Sequence, residues 1–277
     1  MLDISTKTEE LRKRIIKTAW NGKAGHITSA LSMADIIAVL YFGGILRHNP
    51  EKADWEDRDR FILSKAHGGL GLYVVLAMES YIAMDALDNY CKAGQHLGDH
   101  SNMCVNGVEN SGGSLGHGLG IAAGKALSAK MKNMDYITYV LTGDGECQEG
   151  SIWESALFIG NKKLNNLVWI IDYNRLQGSS RIDNTSGLEP LSDKLKSFGF
   201  TVKIVDGHNH IDLYNTLKMD RKCLPEQPTA IIANTKKGYG IPLLEDREDW
   251  HGRLPKEEEY DMMIRGLGMT MEEFKQL

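Results

Sequence analysis

The sequence has little of what marks secreted, membrane-spanning or nucleic-acid-binding proteins. It has four cysteines in 277 residues and no C-x-x-C spacing, which favours reduced thiols in the cytoplasm over a disulfide framework. The longest apolar run, Ile36 to Phe42, is too short to cross a bilayer, and the start MLDISTKTEE is not typical of a signal peptide. A net charge of −5 without a basic face argues against a nucleic-acid partner. We therefore expect a cytoplasmic protein with no nucleic-acid and no membrane partner.

The chain also lacks signs of division into several domains. It has only six prolines, and it contains no Ser/Pro-rich tract, no tract of one charge and no internal repeat. Its apolar fraction of 42% and charged fraction of 25% are those of an ordinary globular protein. We expect a single domain over residues 1–277.

The pattern of apolar residues predicts an α/β fold. In the first half it favours helices at about 5–20, 29–42, 65–79, 84–93 and 114–130. In the second half we predict strands at Tyr136–Leu141, Leu167–Ile171, Thr201–Val205 and Ala230–Ala233, alternating with helices at Ser151–Asn161, Ser192–Ser197 and Ile211–Lys218. After Gly240 we expect loop and one or two short helices. Continuous apolar strands such as LVWII are typical of a sheet covered on both faces, so we expect a doubly wound, mostly parallel sheet flanked by helices.

The most informative segment is YVLTGDGECQEGSIWES, in which a predicted strand ends in Gly-Asp-Gly. Asp144 would lie at the carboxyl end of that strand, where open α/β sheets bind ligands. Asn174 follows the next predicted strand, so two neighbouring parallel strands would place it beside Asp144. One carboxylate and one amide oxygen suit Mg²⁺, which takes its remaining ligands from phosphate and water. The helix near Ser151 would direct its N-terminal N–H groups at the bound phosphate. The alternative is that the segment is a plain turn in which the acid caps the helix.

A GDG segment followed by Asn at this spacing is the thiamine diphosphate signature. The chain resembles the transketolase family, and in particular the N-terminal subunit of a split transketolase. The segments that carry the resemblance stand in the family's order from about residue 20 to 253: GHITSALS, ILSKAHG, LGDHS, GSLGHGLG, GDGECQEGSIWE, IDYNRLQGSS, and TKKGYG with EDREDWHG. The resemblance implies a thiamine diphosphate-binding fold, with thiamine diphosphate and Mg²⁺ (or Ca²⁺ or Mn²⁺) as cofactors.

The resemblance also implies roles for individual residues. Metal ligands would be Asp144, the Asn174 side chain and the Leu176 carbonyl. Cofactor contacts would come from Gly145, His67, Lys237 and His251 at the diphosphate, Gly113 and Leu115 at the aminopyrimidine, and Ser29 near the thiazolium. Catalytic histidines would be His26, His67, His100 and His251. The residue types agree with this, because imidazole suits proton transfer at hydroxyl groups near neutral pH, and these histidines and His117 all lie beside or within two residues of glycine.

The implied activity is that of a transferase in carbohydrate metabolism. It would move a two-carbon ketol unit from a ketose, expected to be phosphorylated, to an aldose. A full-length transketolase also has a pyrimidine-binding domain, which supplies a carboxylate that activates the cofactor, and a C-terminal domain. We expect both on a separate subunit, in an α₂β₂ heterotetramer that is active only when both subunits are present.

Two other functions stay open at this point. The α subunit of a 2-oxo acid dehydrogenase shares the GDG and Asn arrangement, although the WHG tail and the several histidines favour transketolase. The second of these functions is that of a non-catalytic scaffold with the same fold. The presence of Asp144, Asn174 and the histidines argues against it.

Some local features admit a second interpretation. His96 and His100 have the i,i+4 spacing of helical zinc ligands, but the glycines around them argue against a helix.

Ile27 and Ser101 stand where the family usually has proline. These two changes should relax the loops around the substrate channel.

Overall fold

The fold is a layered α/β structure built around a parallel sheet. The computed structural model describes residues 2–178 and 180–277, so Ser179 of the IDYNRLQGSS motif lies outside the described residues. The strands are β1 (Arg60–Leu63), β2 (Thr138–Gly143), β3 (Leu167–Tyr173), β4 (Leu176–Gln177), β5 (Ser180–Arg181), β6 (Thr201–Asp206) and β7 (Thr229–Asn234). Five of them form a sheet in the order β1-β2-β3-β7-β6 with every pair parallel, whereas β4 and β5 form a short antiparallel pair.

Helices cover both faces of this sheet. They are α1 (Leu2–Gly22), α2 (Ile27–Ser32), α3 (Ala34–Phe42), α4 (Gly69–Met78), α5 (Gly118–Met131), α6 (Gly150–Asn161), α7 (Leu191–Ser197), α8 (His210–Leu217), α9 (Glu257–Gly266) and α10 (Met271–Gln276). Side chains along β3 alternate between two cores: Val168 and Ile170 pack with the helices α1–α4, whereas Trp169 and Ile171 pack with α5, α6 and α7. The predicted doubly wound, mostly parallel sheet is therefore confirmed.

The four predicted strands all belong to the parallel sheet, with ends displaced by one or two residues. Strand β1 was missed by the sequence pattern. It contains only the short apolar run Phe61–Leu63, which is too short to distinguish a strand from a buried turn. This edge strand pairs in parallel with β2, and its carboxyl end leads directly to Lys65 and His67.

Several predicted helices begin or end elsewhere. The helix predicted over 29–42 is divided at Met33 into α2 and α3, and the one predicted over 65–79 starts only at Gly69, after a 3₁₀ turn. The segment 84–93 forms a 3₁₀ helix over Met84–Asn89. The helix predicted from 114 begins at Gly118, because Gly116 has a φ of +85° and a Cβ there would lie 2.3 Å from Ser151 Oγ.

The carboxyl-terminal part contains the short helices α9 and α10, as expected. In the described part of the chain, no helix is both long and apolar enough to cross a membrane. Cys91, Cys104, Cys147 and Cys223, all within the described residues, are free thiols.

Candidate active site

The carboxyl ends of β2 and β3 open into a cavity of about 550 Å³. All twelve residues to which the sequence assigns a role line this cavity: His26, Ser29, His67, His100, Gly113, Leu115, Asp144, Gly145, Asn174, Leu176, Lys237 and His251. They come from segments distributed from α2 to the loop after β7. The fold thus brings together residues that are far apart in the chain.

Asp144 and Asn174 lie side by side because β2 and β3 pair in parallel, with Gly143 opposite Asp172. The two Asp144 carboxylate oxygens accept backbone hydrogen bonds, one from Gly145 at 2.8 Å and the other from Arg175. The Asn174 side chain accepts from the backbone N–H of Leu176 at 3.0 Å. The hydrogen bond from Arg175, the residue after Asn174, therefore joins the Asp144 carboxylate to the segment that carries Asn174 and Leu176, and all three residues line the cavity.

Asp144 is buried, and its two hydrogen-bond donors are neutral backbone groups. Burial, together with the negative charge of nearby Asp172, raises the pKa of the Asp144 carboxyl to about 7 in spite of these donors. A divalent cation at this point would reverse that effect by stabilising the charged form. The oxygen-only donor set of Asp144, Asn174 and the Leu176 carbonyl fits a hard cation such as Mg²⁺ that keeps phosphate or water ligands. Within residues 2–178 and 180–277, no three His, Cys, Asp or Glu side chains are grouped as a metal cluster, so zinc bound through His96 and His100 is not supported.

Basic side chains also line the cavity, among them Lys65, Lys237, His67 and His251. Burial and the nearby Lys65 lower the pKa of Lys237 to about 8. Burial and Lys237 lower the pKa of His251 to about 3, and burial and Lys65 hold the pKa of His67 well below its usual value. These groups disfavour one another's charge, and a diphosphate bound between them would supply the compensating anion.

Four histidine rings form a contiguous cluster at the cavity. His26 is central, with ring centroids 5.5 Å from His67, 5.8 Å from His100 and 5.2 Å from His251. The buried Nδ1 of His26 lies 2.9 Å from an oxygen of Asp99. His117, which the sequence grouped with them, is exposed and precedes α5, outside this cavity.

A buried ion pair beneath the cavity was not predicted from the sequence. Lys65 follows β1 and pairs with Asp172 on β3, and both side chains are almost completely buried. Asp172 also accepts hydrogen bonds from Ser32 Oγ at 2.8 Å and from the hydroxyl of Thr235. The available signal in the sequence was Asp172 at the end of the apolar run LVWIID. A carboxylate at the end of such a buried strand needs a charged or hydrogen-bonding partner.

Removal of the lysine from this pair should destabilise the fold strongly. Lys65→Met would leave Asp172 buried without its cation, which should lower the free energy of unfolding by about 3–5 kcal/mol. Urea denaturation followed by circular dichroism measures this change. As a control, Lys196→Met removes the exposed ion pair with Asp193 and should cost less than about 1 kcal/mol. An equal loss in the free energy of unfolding for the two variants would contradict the stabilising role of the Lys65–Asp172 pair.

One expectation about the GDG segment is wrong. Between Asp144 and α6 lies a 3₁₀ turn, Gly145–Gln148, so the first residues of α6 do not line the cavity. Turn residues occupy that wall instead, including Glu146, whose carboxylate accepts the backbone N–H of Gly116 at 2.9 Å and of Gly143 at 3.1 Å. At this end of α6, only the residue that precedes the helix, Glu149, lines the cavity.

Taken with the parallel sheet, this site defines an α/β domain that binds a polyanionic cofactor at the carboxyl ends of its strands. Residues 7–276 match the family described as "Transketolase, thiamine diphosphate binding domain". The chain belongs to the transketolase family, and it corresponds to the N-terminal, thiamine diphosphate-binding subunit of that group of transferases.

Comparison with individual proteins gives the same result. The chain is 37% identical over 272 residues to one subunit of the apulose-4-phosphate transketolase of Phocaeicola vulgatus, covering 98% of this chain and 96% of that protein. It is 33% identical over 267 residues to 6-deoxy-6-sulfo-D-fructose transketolase subunit SqwG of a Clostridium species, covering 96% of each. The transketolase structure from Campylobacter jejuni superimposes with a TM-score of 0.89 at 28% identity, covering 96% of this chain but 43% of that one. The chain thus spans nearly the full length of subunits from split enzymes and less than half of that transketolase.

Proposed function

We propose that the chain is the cofactor-binding half of a transketolase that moves a two-carbon ketol unit from a phosphorylated ketose to an aldose. The observation that supports this most is that the twelve predicted residues line one cavity, which holds both the oxygen donors around Asp144 and the buried lysine Lys237. Thiamine diphosphate, when bound, would supply the nucleophilic carbon and the electron sink that ketol transfer requires. The chain's own residues would bind that cofactor and handle protons at the sugar hydroxyls.

The metal and the diphosphate would be held by separate groups of residues. Asp144, the Asn174 amide oxygen and the Leu176 carbonyl would hold Mg²⁺, for which Ca²⁺ or Mn²⁺ could substitute. The Gly145 backbone, His67, Lys237 and His251 would face the diphosphate; Gly113 and Leu115 would contact the aminopyrimidine, and Ser29 would lie near the thiazolium. A bound diphosphate would raise the depressed pKa values of Lys237 and His251, which is the electrostatic part of its affinity.

The histidines are suited to move protons because their surroundings keep some of them neutral. Lys237 Nζ lies 2.7 Å from His251 Nδ1. A protonated lysine can only donate, so His251 would accept at Nδ1 and carry its own proton at Nε2. His100 is the exposed member of the cluster and contacts the central His26, and these two would bind sugar hydroxyls and exchange protons with them.

The remaining elements of the assembly would come from a second protein. We infer a single domain over this chain, with the pyrimidine-binding and C-terminal domains on a partner subunit in an α₂β₂ heterotetramer. The names of the two subunit relatives support a divided enzyme. The free thiols support a location in the cytoplasm.

The alternative of a 2-oxo acid dehydrogenase subunit is not favoured by any observation on this chain. The matched family and both subunit relatives are transketolases. A scaffold without catalysis is also disfavoured, because a cavity that keeps a buried carboxylate, two buried lysines and four histidines together is costly to retain without a ligand.

Loss of the His100 side chain should impair donor use. In the assembled enzyme, His100→Ala should lower kcat/KM for a ketose donor by an amount equivalent to about 2–3 kcal/mol, because it removes hydrogen bonds made to the sugar in the transition state. Steady-state kinetics across a panel of ketoses, including ketose phosphates and a sulfonated ketose, measures this effect and identifies the donor class.

The matched control is His117→Ala, which removes an exposed histidine outside the cavity and should leave kcat/KM unchanged. Equal kcat/KM for the His100 variant and the wild type would exclude His100 from the channel. An active complex that decarboxylates 2-oxo acids and ignores every ketose would overturn the proposed reaction.

A further inference from the structure

A second cluster of charged side chains lies outside the cavity and is centred on Asp35 of α3. The Asp35 carboxylate is buried and accepts hydrogen bonds from Arg12 Nη2 at 2.5 Å, His208 Nδ1 at 2.7 Å and His210 Nε2 at 2.7 Å. Burial alone would raise the pKa of Asp35, but these three partners hold it well below its usual range. None of the four residues lines the cavity. We name them the Asp35 cluster.

His208 connects this cluster to the backbone of the loop that carries Lys237. Its Nε2 accepts the backbone N–H of Lys236 at 2.8 Å, while its Nδ1 faces Asp35. Since an N–H group can only donate, Nε2 must be unprotonated, and the ring proton therefore lies on Nδ1 and is donated to Asp35. The carboxylate thus fixes both the tautomer and the orientation of the ring that holds the loop.

The same cluster also holds the far end of that loop, residues 235–240. The Tyr239 ring stacks on His208 with centroids 3.6 Å apart, and Arg12 Nε donates to the Tyr239 carbonyl at 3.2 Å. Gly240 has a φ of +93°, and a Cβ there would lie 2.8 Å from Arg12 Nε, so the chain passes directly against the arginine. Lys237 lies between these two attachments and faces the cavity on the other side of the loop.

We propose that Asp35 and His208 form a positioning pair that holds the 235–240 loop through the Lys236 N–H and thereby sets the place of Lys237 at the diphosphate end of the cavity. The pair touches neither substrate nor cofactor and acts only through the loop. Its effect on cofactor affinity rests on the role proposed above for Lys237, whereas its effect on the loop does not.

Substitutions at His208 separate its two hydrogen bonds. Gln places an amide oxygen near the position of Nε2 and can accept from Lys236, whereas Asn reaches only the position of Nδ1 and can donate only to Asp35. His208→Leu removes both bonds. The control is His210→Leu, which removes a donor to the same carboxylate but no contact of the 235–240 loop.

Two measurements on the full chain test the proposal. Hydrogen–deuterium exchange of a peptide covering 234–240 reports the Lys236 amide, and tryptophan fluorescence during titration with thiamine diphosphate and Mg²⁺ reports affinity. We expect His208→Leu and His208→Asn to speed exchange and to weaken binding by about tenfold, the effect of one lost hydrogen bond. His208→Gln keeps the bond to Lys236 without the orienting contact with Asp35, so both quantities should lie between those of the wild type and His208→Leu, and His210→Leu should lower the thermal midpoint without either change.

Wild-type exchange in His208→Leu would overturn the proposal. Rescue by Asn but not by Gln would also overturn it, because the contact with Asp35 alone would then carry the effect. A wild-type chain that binds no thiamine diphosphate, alone or in its assembly, would refute the proposed function, while the exchange measurement would still decide whether His208 holds the loop.

Discussion

Asp144→Ala is expected to abolish retention of thiamine diphosphate while leaving the fold intact. Asp144 would be the only carboxylate ligand of the metal, and without that metal the diphosphate would lose its bridge to the protein. We expect affinity to fall by at least about 100-fold, as for loss of a hydrogen-bonded charge at a buried binding site.

The stability of this variant should change little at neutral pH, because relief from burying a charged carboxyl opposes the loss of the hydrogen bonds that Gly145 and Arg175 donate to it. Burial raises the pKa of Asp144 to about 7, so the folded state favours the protonated form more than the unfolded state does. A carboxyl whose folded pKa is raised in this way costs stability as the pH rises above its unfolded pKa, and the alanine variant is free of that cost.

Equilibrium dialysis of thiamine diphosphate, in Mg²⁺ and then in excess chelator, measures the effect. The control is Asp183→Ala, which removes an exposed carboxylate that does not line the cavity and should bind like the wild type. If the wild type binds thiamine diphosphate with equal affinity in Mg²⁺ and in excess chelator, the proposed metal site is refuted. Wild-type retention by Asp144→Ala in Mg²⁺ would show that the metal, if bound, is held by other atoms.

The pairing of Asp144 with Asn174 was predictable because it depends on only two local signals. Each residue follows a continuous apolar strand, and neighbouring parallel strands end at the same edge of the sheet. Approximate boundaries of the two strands were sufficient for this inference. The resemblance to a family then added residues such as Lys237 and His251 that no local pattern would have grouped with Asp144.

Other features depend on long-range contacts that a sequence pattern does not reveal. The Asp35 cluster joins residues on α1, α3, α8 and the turn before α8, and nothing in the spacing of Arg12, Asp35 and His208 suggests that they meet. The same holds for Asp99, which lies beside His26 although the family resemblance assigns it no role. Such contacts are determined by how the helices pack on the sheet.

The loop containing Ser101 shows how a substitution can be misread from sequence. Replacement of the family's proline was expected to relax this loop. Ser101 is buried, however, and its backbone N–H, which proline lacks, donates to the Ala66 carbonyl at 3.3 Å. Its own carbonyl accepts from Gly112 at 2.9 Å. The loop is therefore tied to both neighbouring segments of the cavity wall, and the expectation of a relaxed loop was wrong at this position.

The chain by itself is expected to be inactive, and a pyrimidine-binding subunit should restore activity. The cavity wall includes Gly113, which is exposed, and no atom of the described residues lies within 4 Å of where its Cβ would be. Apolar side chains are also exposed on α5 and α6, with Ile121 at 38%, Leu157 at 61% and Phe158 at 40% of full exposure. Both features support a second chain that covers this side and completes the pocket.

Assembly should then be coupled to cofactor binding by mass action, because a ligand held between two subunits stabilises their complex. We expect the rate of ketol transfer to rise by at least about 100-fold when the partner is added, as electrostatic activation of the cofactor becomes possible. A titration with a purified pyrimidine-binding subunit should saturate near an equimolar ratio. Light scattering should then show a particle of two copies of each subunit.

Turnover of a ketose by the isolated chain at the rate of the assembled enzyme would contradict the divided site. The carboxylate that activates the cofactor would then have to lie within this chain. Of the carboxylates that line the cavity in the described residues, Asp144 would be engaged as a metal ligand, and Glu146 is buried and accepts hydrogen bonds from backbone N–H groups. Glu149, which is exposed at the start of α6, would remain. Loss of that turnover in Glu149→Gln, with thiamine diphosphate still bound, would identify it as the activating group and would make the partner dispensable for chemistry.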